Sequence, residues 1–238
     1  MKVCYLTDRG PQKDVNEDCL LVDKSLGLYI LADGMGGHNA GEVASRLAVD
    51  VIAWEVLKGL QTDTKEERLL REAIEVANRT VLEKSLINPA WEEMGTTVVA
   101  ALISGEDLFI SHVGNSRAYL IGDGEIEQIA QDHTFVAEWL KEGRITSHQA
   151  RTHPQRHGLT EVVGVTDDVE SDVAVLPWDG EKCLLLCSDG LTEMLEDQEI
   201  LEIVESQDDP ALACQKLVDA ANKRGGKDNV SVILVCGE

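Results

Sequence analysis

Residues 28–38 read LYILADGMGGH, and this segment carries the strongest structural signal in the chain. Leu28 to Ala32 form a mostly apolar run typical of a buried strand, and the run leads directly into Asp33-Gly34 and a glycine-rich turn that ends at His38. A buried strand that ends on a carboxylate indicates binding, because an unpaired buried charge is costly. We therefore interpret Asp33 as a candidate ligand of a cation.

Carboxylates next to strand-like runs recur along the chain. A second apolar run ends at Asp189-Gly190, and Asp228 lies just before a third. Glu17 and Asp18 precede a fourth run of this kind. One Asp-Gly pair alone most often marks a plain turn. The set as a whole is typical of a site for a hard divalent cation with oxygen ligands.

The composition excludes several classes of partner. The chain has 238 residues, 43% of them hydrophobic, which suffices for a large core. It carries 21 basic and 44 acidic side chains, and a formal net charge of −23 opposes binding to nucleic acid or to an anionic membrane. No apolar run reaches the roughly 20 residues of a membrane helix, and residues 1–4 do not begin a signal peptide. We expect a cytoplasmic protein.

The six cysteines give no sign of a metal or disulfide framework. None forms a C-x-x-C pair, and most lie inside apolar runs. This pattern predicts buried, reduced thiols.

The order of periodic segments predicts an α+β fold. Three strand-like runs before residue 33 are followed by two helical patterns, with helix starts indicated at Asn39–Glu42 and Thr64–Glu67. Strands return in hairpin-like blocks, and residues 144–160 are predicted to be irregular. Two further helices are predicted over Asp197–Glu205 and Pro210–Lys223, the second with Asp209 as N-cap and Pro210 in its first turn. Antiparallel blocks around one core fit these segments better than a doubly wound parallel sheet. We find no linker-like gap and predict one domain over 1–238.

Taken together, the motifs resemble the PPM (PP2C-type) metal-dependent serine/threonine protein phosphatases in their compact bacterial form. The matching segments, in family order, are TDRGPQKDVNED (7–18), ADGMGGHNAGEVAS (32–45), MGTT (94–97), HVGNSRAYL (112–120), DHTFVAEWLKEGRIT (132–146), HPQR (153–156), CSDGL (187–191) and KDNVSVILV (227–235). The resemblance implies a four-layer αββα sandwich of two antiparallel sheets flanked by helices. It also implies a flap subdomain at about 132–165.

The resemblance further implies two Mn²⁺ or Mg²⁺ ions per chain. Asp33 would bridge both ions, and the Gly34 carbonyl would bind one. Asp189 and Asp228 would complete the coordination of the first ion. Glu17 would bind the second ion through a water molecule, and Asp18 would lie behind these ligands without binding an ion directly.

In this family a hydroxide between the two ions attacks phosphorus. His38 matches the proposed general acid, which protonates the leaving serine or threonine oxygen, a task suited to a side chain that titrates near neutral pH. The alternative is that His38 is an exposed turn residue.

Two positions depart from the family pattern. Lys13 stands where the family usually has a phosphate-binding Arg, so the charge is kept but the bidentate fork is lost. A plain surface lysine is the alternative. Asn115 stands where many members have an Asp that helps to hold a third metal. We hypothesise that the third site is weakened or absent, or that Asn115 only forms a turn.

Residues 132–160 concentrate positive charge in an acidic protein. The charged side chains are Lys141, Arg144, Arg151 and Arg156. These positive charges either dock the substrate around its phosphate or are ordinary surface charges of a loop. His112 and His133 lie in family motifs without an assigned role, and we expect hydrogen bonding there rather than metal binding.

The predicted function is metal-dependent hydrolysis of phosphoserine and phosphothreonine in proteins. Such an enzyme would oppose a bacterial Ser/Thr kinase, and we expect it to be monomeric. A pseudophosphatase or binding module with the same fold is the alternative, and the intact carboxylates argue against it. No D-x-D-x-T segment supports an aspartyl-phosphate phosphatase.

Overall fold

Two antiparallel sheets form the centre of the computed structural model, which describes residues 1–36, 40–62 and 64–237. The strands are β1 (Lys2–Asp8), β2 (Asp18–Asp23), β3 (Leu28–Met35), β4 (Gly95–Thr96), β5 (Val98–Ser104), β6 (Asp107–Val113), β7 (Arg117–Gly122), β8 (Glu125–Gln128), β9 (Asp172–Pro177), β10 (Cys183–Cys187) and β11 (Val230–Cys236). One sheet has the order β1-β11-β10-β7-β8. The other has the order β2-β3-β5-β6-β9, with β4 paired to β3. The predicted α+β class is confirmed.

The helices are α1 (Gly41–Gly59), α2 (Glu66–Ile87), α3 (Phe135–Lys141), α4 (Ser147–Thr152), α5 (Asp189–Thr192), α6 (Asp197–Glu205) and α7 (Pro210–Lys223). Helices α1 and α2 cover the outer face of one sheet and α6 and α7 that of the other, while α3 and α4 lie in the segment between β8 and β9. Helices α1 and α2 share an apolar core with β3 and β5, and α6 and α7 share one with β10 and β11. A third core lies between the sheets. These layers form the predicted αββα sandwich. No helix in the described residues is both long and apolar enough to cross a bilayer.

Strand β3 is buried on both faces, which explains its unbroken apolar sequence. Leu28 and Ile30 belong to the core beneath α1 and α2. Tyr29 and Leu31 belong to the core between the sheets. Because side chains alternate across a strand, only a run that is apolar throughout satisfies both faces.

The helix starts agree with the predictions only in part. Asn39 lies outside the described residues. Helix α2 begins at Glu66 with Lys65 as its N-cap and without a side-chain cap, so Thr64 does not cap it. At α7 the Asp209 carboxylate accepts from the Ala211 N–H, and Pro210 occupies the first turn as predicted.

The segment 132–165 leaves the sandwich and returns to nearly the same place. Thr134 forms a bridge with Leu159 near its two ends. The prediction that 144–160 is irregular is wrong for α4. A capping box between Thr146 and Gln149 starts this helix, which has no buried residue and therefore shows no apolar periodicity.

The cysteine prediction is wrong for one pair. Cys183 and Cys236 form a disulfide between β10 and β11, next to the register pair Leu184↔Val235. Antiparallel pairing brings these two residues opposite each other although they are 53 positions apart in sequence. The other cysteines are free, and Cys19, Cys187 and Cys214 are buried as predicted.

Candidate metal centre

The carboxylates singled out in the sequence meet at one end of the sandwich. Asp18 lies directly opposite Asp33 in the β2–β3 register. The Asp33 and Asp189 carboxyl groups lie close enough to shift each other's pKa values, although they come from different sheets. Asp228 precedes β11, the neighbour of β10, and its charge acts on Asp18, Asp33 and Asp189.

The backbone at Asp33 is fixed by the strand that follows α2. The Asp33 carbonyl accepts from the Thr97 N–H at 2.9 Å and from the Thr96 hydroxyl at 2.9 Å. A methyl group on Gly34 would lie 2.1 Å from the Gly41 carbonyl oxygen, so only glycine fits there. The glycine that the sequence places after Asp33 is thus a packing requirement of the site.

Glu17 is held against the start of α1. Its carboxylate accepts from the Gly41 backbone N–H, and its carbonyl accepts from the Ser45 hydroxyl at 2.6 Å. A methyl group on Gly41 would lie 2.3 Å from Glu17 Oε1. This close approach fixes the Glu17 carboxylate against the first residue of α1.

Asn229 is a supporting residue that the sequence argument did not single out. It is 2% exposed. Its Oδ1 accepts from the Glu17 N–H at 2.9 Å, and its Nδ2 donates to the carbonyls of Arg9 and Val15 at 2.8 and 3.0 Å. Asn229 therefore fastens the loop that carries Lys13 and Glu17 to the sheet that carries Asp228.

Ser188 performs a similar function between the sheets. Its hydroxyl donates to Asp18 Oδ2 at 2.9 Å and accepts from the Ser231 N–H at 3.0 Å. Ser188 is fully buried. Ser188 lies inside the CSDGL segment, but its role was not predicted because its partners come from distant strands.

Burial and mutual repulsion raise the pKa values of these carboxylates. Burial raises the pKa of Asp18 to about 7, and the Asp189 and Asp228 charges add to this effect. Burial and the charges of Asp18, Asp189 and Asp228 hold the pKa of Asp33 well above its usual range. Burial and Asp228 also raise the pKa of Asp189, and burial raises that of Glu17.

The donor set fits a hard divalent cation. Asp18 Oδ1 and Asp189 Oδ1 are buried and have no hydrogen-bond partner among the described residues. Clustered carboxylates with open oxygen lone pairs are the ligands that Mg²⁺ and Mn²⁺ prefer. A bound cation would also relieve the repulsion that raises the pKa values.

Lys13 lies inside this cluster. Its Nζ is 2.5 Å from Asp228 Oδ1, and about a third of its side chain is exposed. Burial lowers the pKa of Lys13, but the hydrogen bond and charge of Asp228 outweigh this and raise it. The alternative of a plain surface lysine does not describe this contact, and phosphate binding by Lys13 stays a prediction.

Comparison with known proteins agrees with this geometry. The sequence profile of the family described as Protein phosphatase 2C matches residues 11–219. The chain belongs to the protein phosphatase 2C family. It is 37% identical over 236 residues to the serine/threonine phosphatase stp of Listeria monocytogenes, covering 97% of this chain and 94% of that protein.

Solved phosphatase structures superimpose on nearly the whole chain. The crystal structure of the Mycobacterium tuberculosis serine/threonine phosphatase PstP/Ppp has a TM-score of 0.92 at 36% identity, covering 100% of this chain and 98% of that one. The catalytic domain of PstP in complex with 2 manganese ions has a TM-score of 0.88 at 34% identity, covering 98% of this chain and 96% of that one. Both the resemblance and the fold predicted from the motifs are confirmed.

Asn115 contacts the carboxylate cluster directly. Its Nδ2 donates to Asp189 Oδ2 at 2.9 Å. This hydrogen bond stabilises the ionised form of Asp189 and partly offsets the rise in its pKa that burial and Asp228 cause. The reading of Asn115 as no more than a turn residue is too narrow, while the weakened third-metal site stays a prediction.

A cleft of about 510 Å³ opens beside the carboxylate cluster, with Asp189 in its lining. Its lining includes Asn115 and Asp189 together with the basic side chains of Arg151, Arg156 and Lys227. Arg144, by contrast, pairs with Glu142 at 2.7 Å on the surface. The basic side chains of segment 132–165 thus divide into a group that faces the site and one that does not.

One contact joins the flap segment to the site. His157 Nδ1 lies 2.5 Å from Glu193 Oε1. Burial, followed by the Asp189 charge, raises the pKa of Glu193 to about 7. Neither residue was singled out in the sequence. His38, the predicted general acid, lies outside the described residues.

Proposed function

We propose that this chain hydrolyses phosphoserine and phosphothreonine esters in proteins, using divalent cations held by the carboxylate cluster. The observation that carries the proposal is the meeting of Asp18, Asp33, Asp189 and Asp228 at one end of the sandwich, two from each sheet edge. Membership of the protein phosphatase 2C family supports the same reaction.

The side chains divide into ligands and supports. We assign Asp33 as the bridge between two ions, with the Gly34 carbonyl on one of them. Asp189 and Asp228 complete the first site, and Glu17 serves the second through water.

Asp18 stands behind these ligands, oriented by the Ser188 hydroxyl at 2.9 Å. When bound, a pair of divalent ions supplies hydroxide at neutral pH and balances charge on the transferring phosphoryl group. Mn²⁺ and Mg²⁺ both suit this oxygen donor set.

The chain's own cations bind and orient the substrate. We assign the Lys13 ammonium group to a phosphate oxygen, and its contact with Asp228 in the carboxylate cluster supports this assignment. Arg151 and Arg156 line the cleft and offer planar donors to a phosphate or to acidic side chains near it. His38 donates the proton that the leaving serine or threonine oxygen needs.

The biological setting follows from this chemistry. The substrates are phosphorylated proteins, and the enzyme reverses a bacterial Ser/Thr kinase in the cytoplasm. The chain acts as a monomeric single domain over 1–238, in which residues 132–165 form a flap beside the cleft.

Hydrolysis of p-nitrophenyl phosphate and of phosphoserine, phosphothreonine and phosphotyrosine peptides tests the reaction. We expect turnover that requires Mn²⁺ or Mg²⁺ and favours phosphoserine and phosphothreonine. Asp33→Asn should reduce turnover at least about a hundredfold, because the bridging carboxylate is lost. Asp107→Asn, at an exposed position in the hairpin between β5 and β6, is the control and should leave turnover unchanged.

The binding-module alternative predicts a different result. A folded protein that binds a phosphopeptide but shows no metal-dependent turnover would support that alternative. His38→Gln separates the acid function from binding. It should slow phosphoserine hydrolysis much more than p-nitrophenyl phosphate hydrolysis, because p-nitrophenolate leaves without protonation.

A further inference from the structure

Two histidines and one aspartate come together at the root of segment 132–165. One ligand atom from each of His112, His133 and Asp172 lies within 4.8 Å of the others. His112, near the end of β6, is opposite Asp172 at the start of β9 in the strand register. The His112 and His133 rings have centroids 4.4 Å apart. None of these residues belongs to the carboxylate cluster described above.

His112 is prepared as a neutral ligand. It is 1% exposed, and its Nε2 lies 2.9 Å from the Gln131 backbone carbonyl. A carbonyl only accepts, so Nε2 carries the proton and Nδ1 keeps a free lone pair. That Nδ1 is buried and has no hydrogen-bond partner within residues 1–36, 40–62 and 64–237. Histidine ligands of metals commonly donate their second N–H to a carbonyl in this way.

The spacing of His133 and Asp172 points in the same direction. His133 Nε2 and Asp172 Oδ2 are 3.3 Å apart, which is long for a hydrogen bond. Two ligands of a tetrahedral zinc ion, each about 2.0–2.1 Å from the metal, are about 3.3–3.4 Å apart. The observed separation therefore matches one edge of such a tetrahedron.

The chemistry of the three side chains selects the type of metal. Two imidazoles and one carboxylate suit Zn²⁺ or another late transition metal, whereas Mg²⁺ and Ca²⁺ prefer oxygen alone. We propose that His112, His133 and Asp172 form a transition-metal site, with Zn²⁺ the ion that it fits best. Solvent completes the fourth position beside the exposed Asp172. The hydrogen bonding that the sequence predicts for His112 and His133 is present, and the proposal adds metal binding to it.

The site lies where both ends of segment 132–165 are fastened. The His133 N–H donates to the Gly114 carbonyl at 2.9 Å, and the His133 carbonyl accepts from the Thr160 N–H at 2.9 Å. His133 Nδ1 accepts from the Gly114 N–H at 3.3 Å, so in the absence of metal the ring proton is on Nε2, facing Asp172. Metal binding at Nε2 moves this proton to Nδ1, where it would face the Gly114 N–H, so the ring and the Gly114 backbone must separate when metal binds.

Zn²⁺ binding in an Asp33→Asn background tests the proposal. This background impairs the carboxylate cluster, so Zn²⁺ bound there contributes less to the signal. We expect isothermal titration with ZnCl₂ to show one site. Adding Asp172→Asn or His133→Gln should weaken Zn²⁺ affinity at least tenfold. Co²⁺ should give the visible absorption of tetrahedral coordination, and both changes should remove it.

Two controls distinguish loss of the proposed site from misfolding and from Zn²⁺ binding elsewhere. Asp172 has a side chain that is 68% exposed, so its replacement should leave cooperative thermal unfolding in EDTA unchanged. His148→Asn, at an exposed position on α4, should leave Zn²⁺ affinity unchanged. The proposal is overturned if the Asp33→Asn protein binds no Zn²⁺, or if Asp172→Asn and His133→Gln bind it as tightly as their parent. Neither outcome depends on whether the chain is a phosphatase.

Discussion

Replacing Asp18 by asparagine should stabilise the metal-free protein at neutral and alkaline pH. Burial raises the pKa of Asp18 from 3.8 to about 7, with further contributions from Asp189 and Asp228. The folded protein therefore holds a proton on Asp18 more tightly than the unfolded chain does. The stability that this proton contributes is fully present below about pH 4 and is lost as the pH rises to about 7.

The size of the effect follows from the two pKa values. Each pH unit between 3.8 and about 7 costs about 1.36 kcal/mol, which gives about 4 kcal/mol above pH 7. This is an upper limit because Asp18 keeps some solvent exposure and shares its repulsion with Asp33 and Asp189. We expect Asp18→Asn to gain about 2–4 kcal/mol at pH 8. The asparagine oxygen can still accept from Ser188.

Urea unfolding in EDTA at pH 4, 6 and 8 measures this prediction. The gain from Asp18→Asn should be largest at pH 8 and should shrink towards pH 4. Asp107→Asn, which removes an exposed charge, is the matched control and should show no such trend. With saturating Mn²⁺ the wild-type protein should recover most of the difference, because metal that binds only the folded state stabilises it.

Two results would refute the reasoning. Equal stability of Asp18→Asn and wild type at pH 8 in EDTA would mean that neither burial nor the neighbouring carboxylates destabilise the Asp18 charge appreciably. The same gain at pH 4 and pH 8 would mean that the substitution acts through packing rather than charge. Thermal unfolding gives an independent readout, with about 2–4 °C expected per kcal/mol for a chain of this size.

Three further predictions concern positions that distinguish this chain. Asn115→Asp should add one weak Mn²⁺ site, measured by titration, because a second carboxylate beside Asp189 replaces the amide that now donates to it. An unchanged number of bound Mn²⁺ ions per chain would contradict this. Lys13→Arg should lower KM for phosphopeptides and Lys13→Ala should raise it several-fold, and an unchanged KM in Lys13→Ala removes the phosphate role. Reducing the disulfide should cost about 2–4 kcal/mol of unfolding free energy, since it closes a loop with a sequence separation of 53; Cys183→Ser should match the reduced protein and be insensitive to dithiothreitol.

Local patterns were sufficient to predict most helices and strands. The predicted helices Asp197–Glu205 and Pro210–Lys223 have the same bounds in the structure. Helix α4 was missed because it buries no residue, so the hydrophobic periodicity that reveals an amphipathic helix is absent. Its capping box between Thr146 and Gln149 was the available signal.

Pairing between distant strands could not be read in the same way. Strand β1 pairs with β11, so Lys2 lies opposite Cys236 at the other end of the chain. Nothing in the local sequence of either strand specifies this partner or its register. The disulfide was missed for the same reason, because Cys183 and Cys236 become neighbours only through the register of β10 and β11.

The residues of the candidate site likewise fall into those that a local sequence pattern reveals and those that only the fold brings together. Asp33 and Asp189 stand out in the sequence because each ends an apolar run, and the family resemblance joins them with Asp228. Asn229 and Ser188 carry no such signal, since each is a small polar residue whose partners lie on distant segments. Their burial, which a sequence does not state, is what gives them their roles.

The position of the carboxylates between two sheets links metal binding to sheet packing. Asp18 and Asp33 come from one sheet, and Asp189 and Asp228 lie at the ends of β10 and β11 in the other. The apolar core between the sheets must therefore supply the free energy that holds these like charges together. In the proposed metal-bound state, Asp33 from one sheet and Asp189 and Asp228 from the other share the same ions, so the local repulsion is replaced by attraction to a common charge. Metal binding should therefore stabilise the packing of the two sheets at the end of the sandwich where like charges otherwise oppose it.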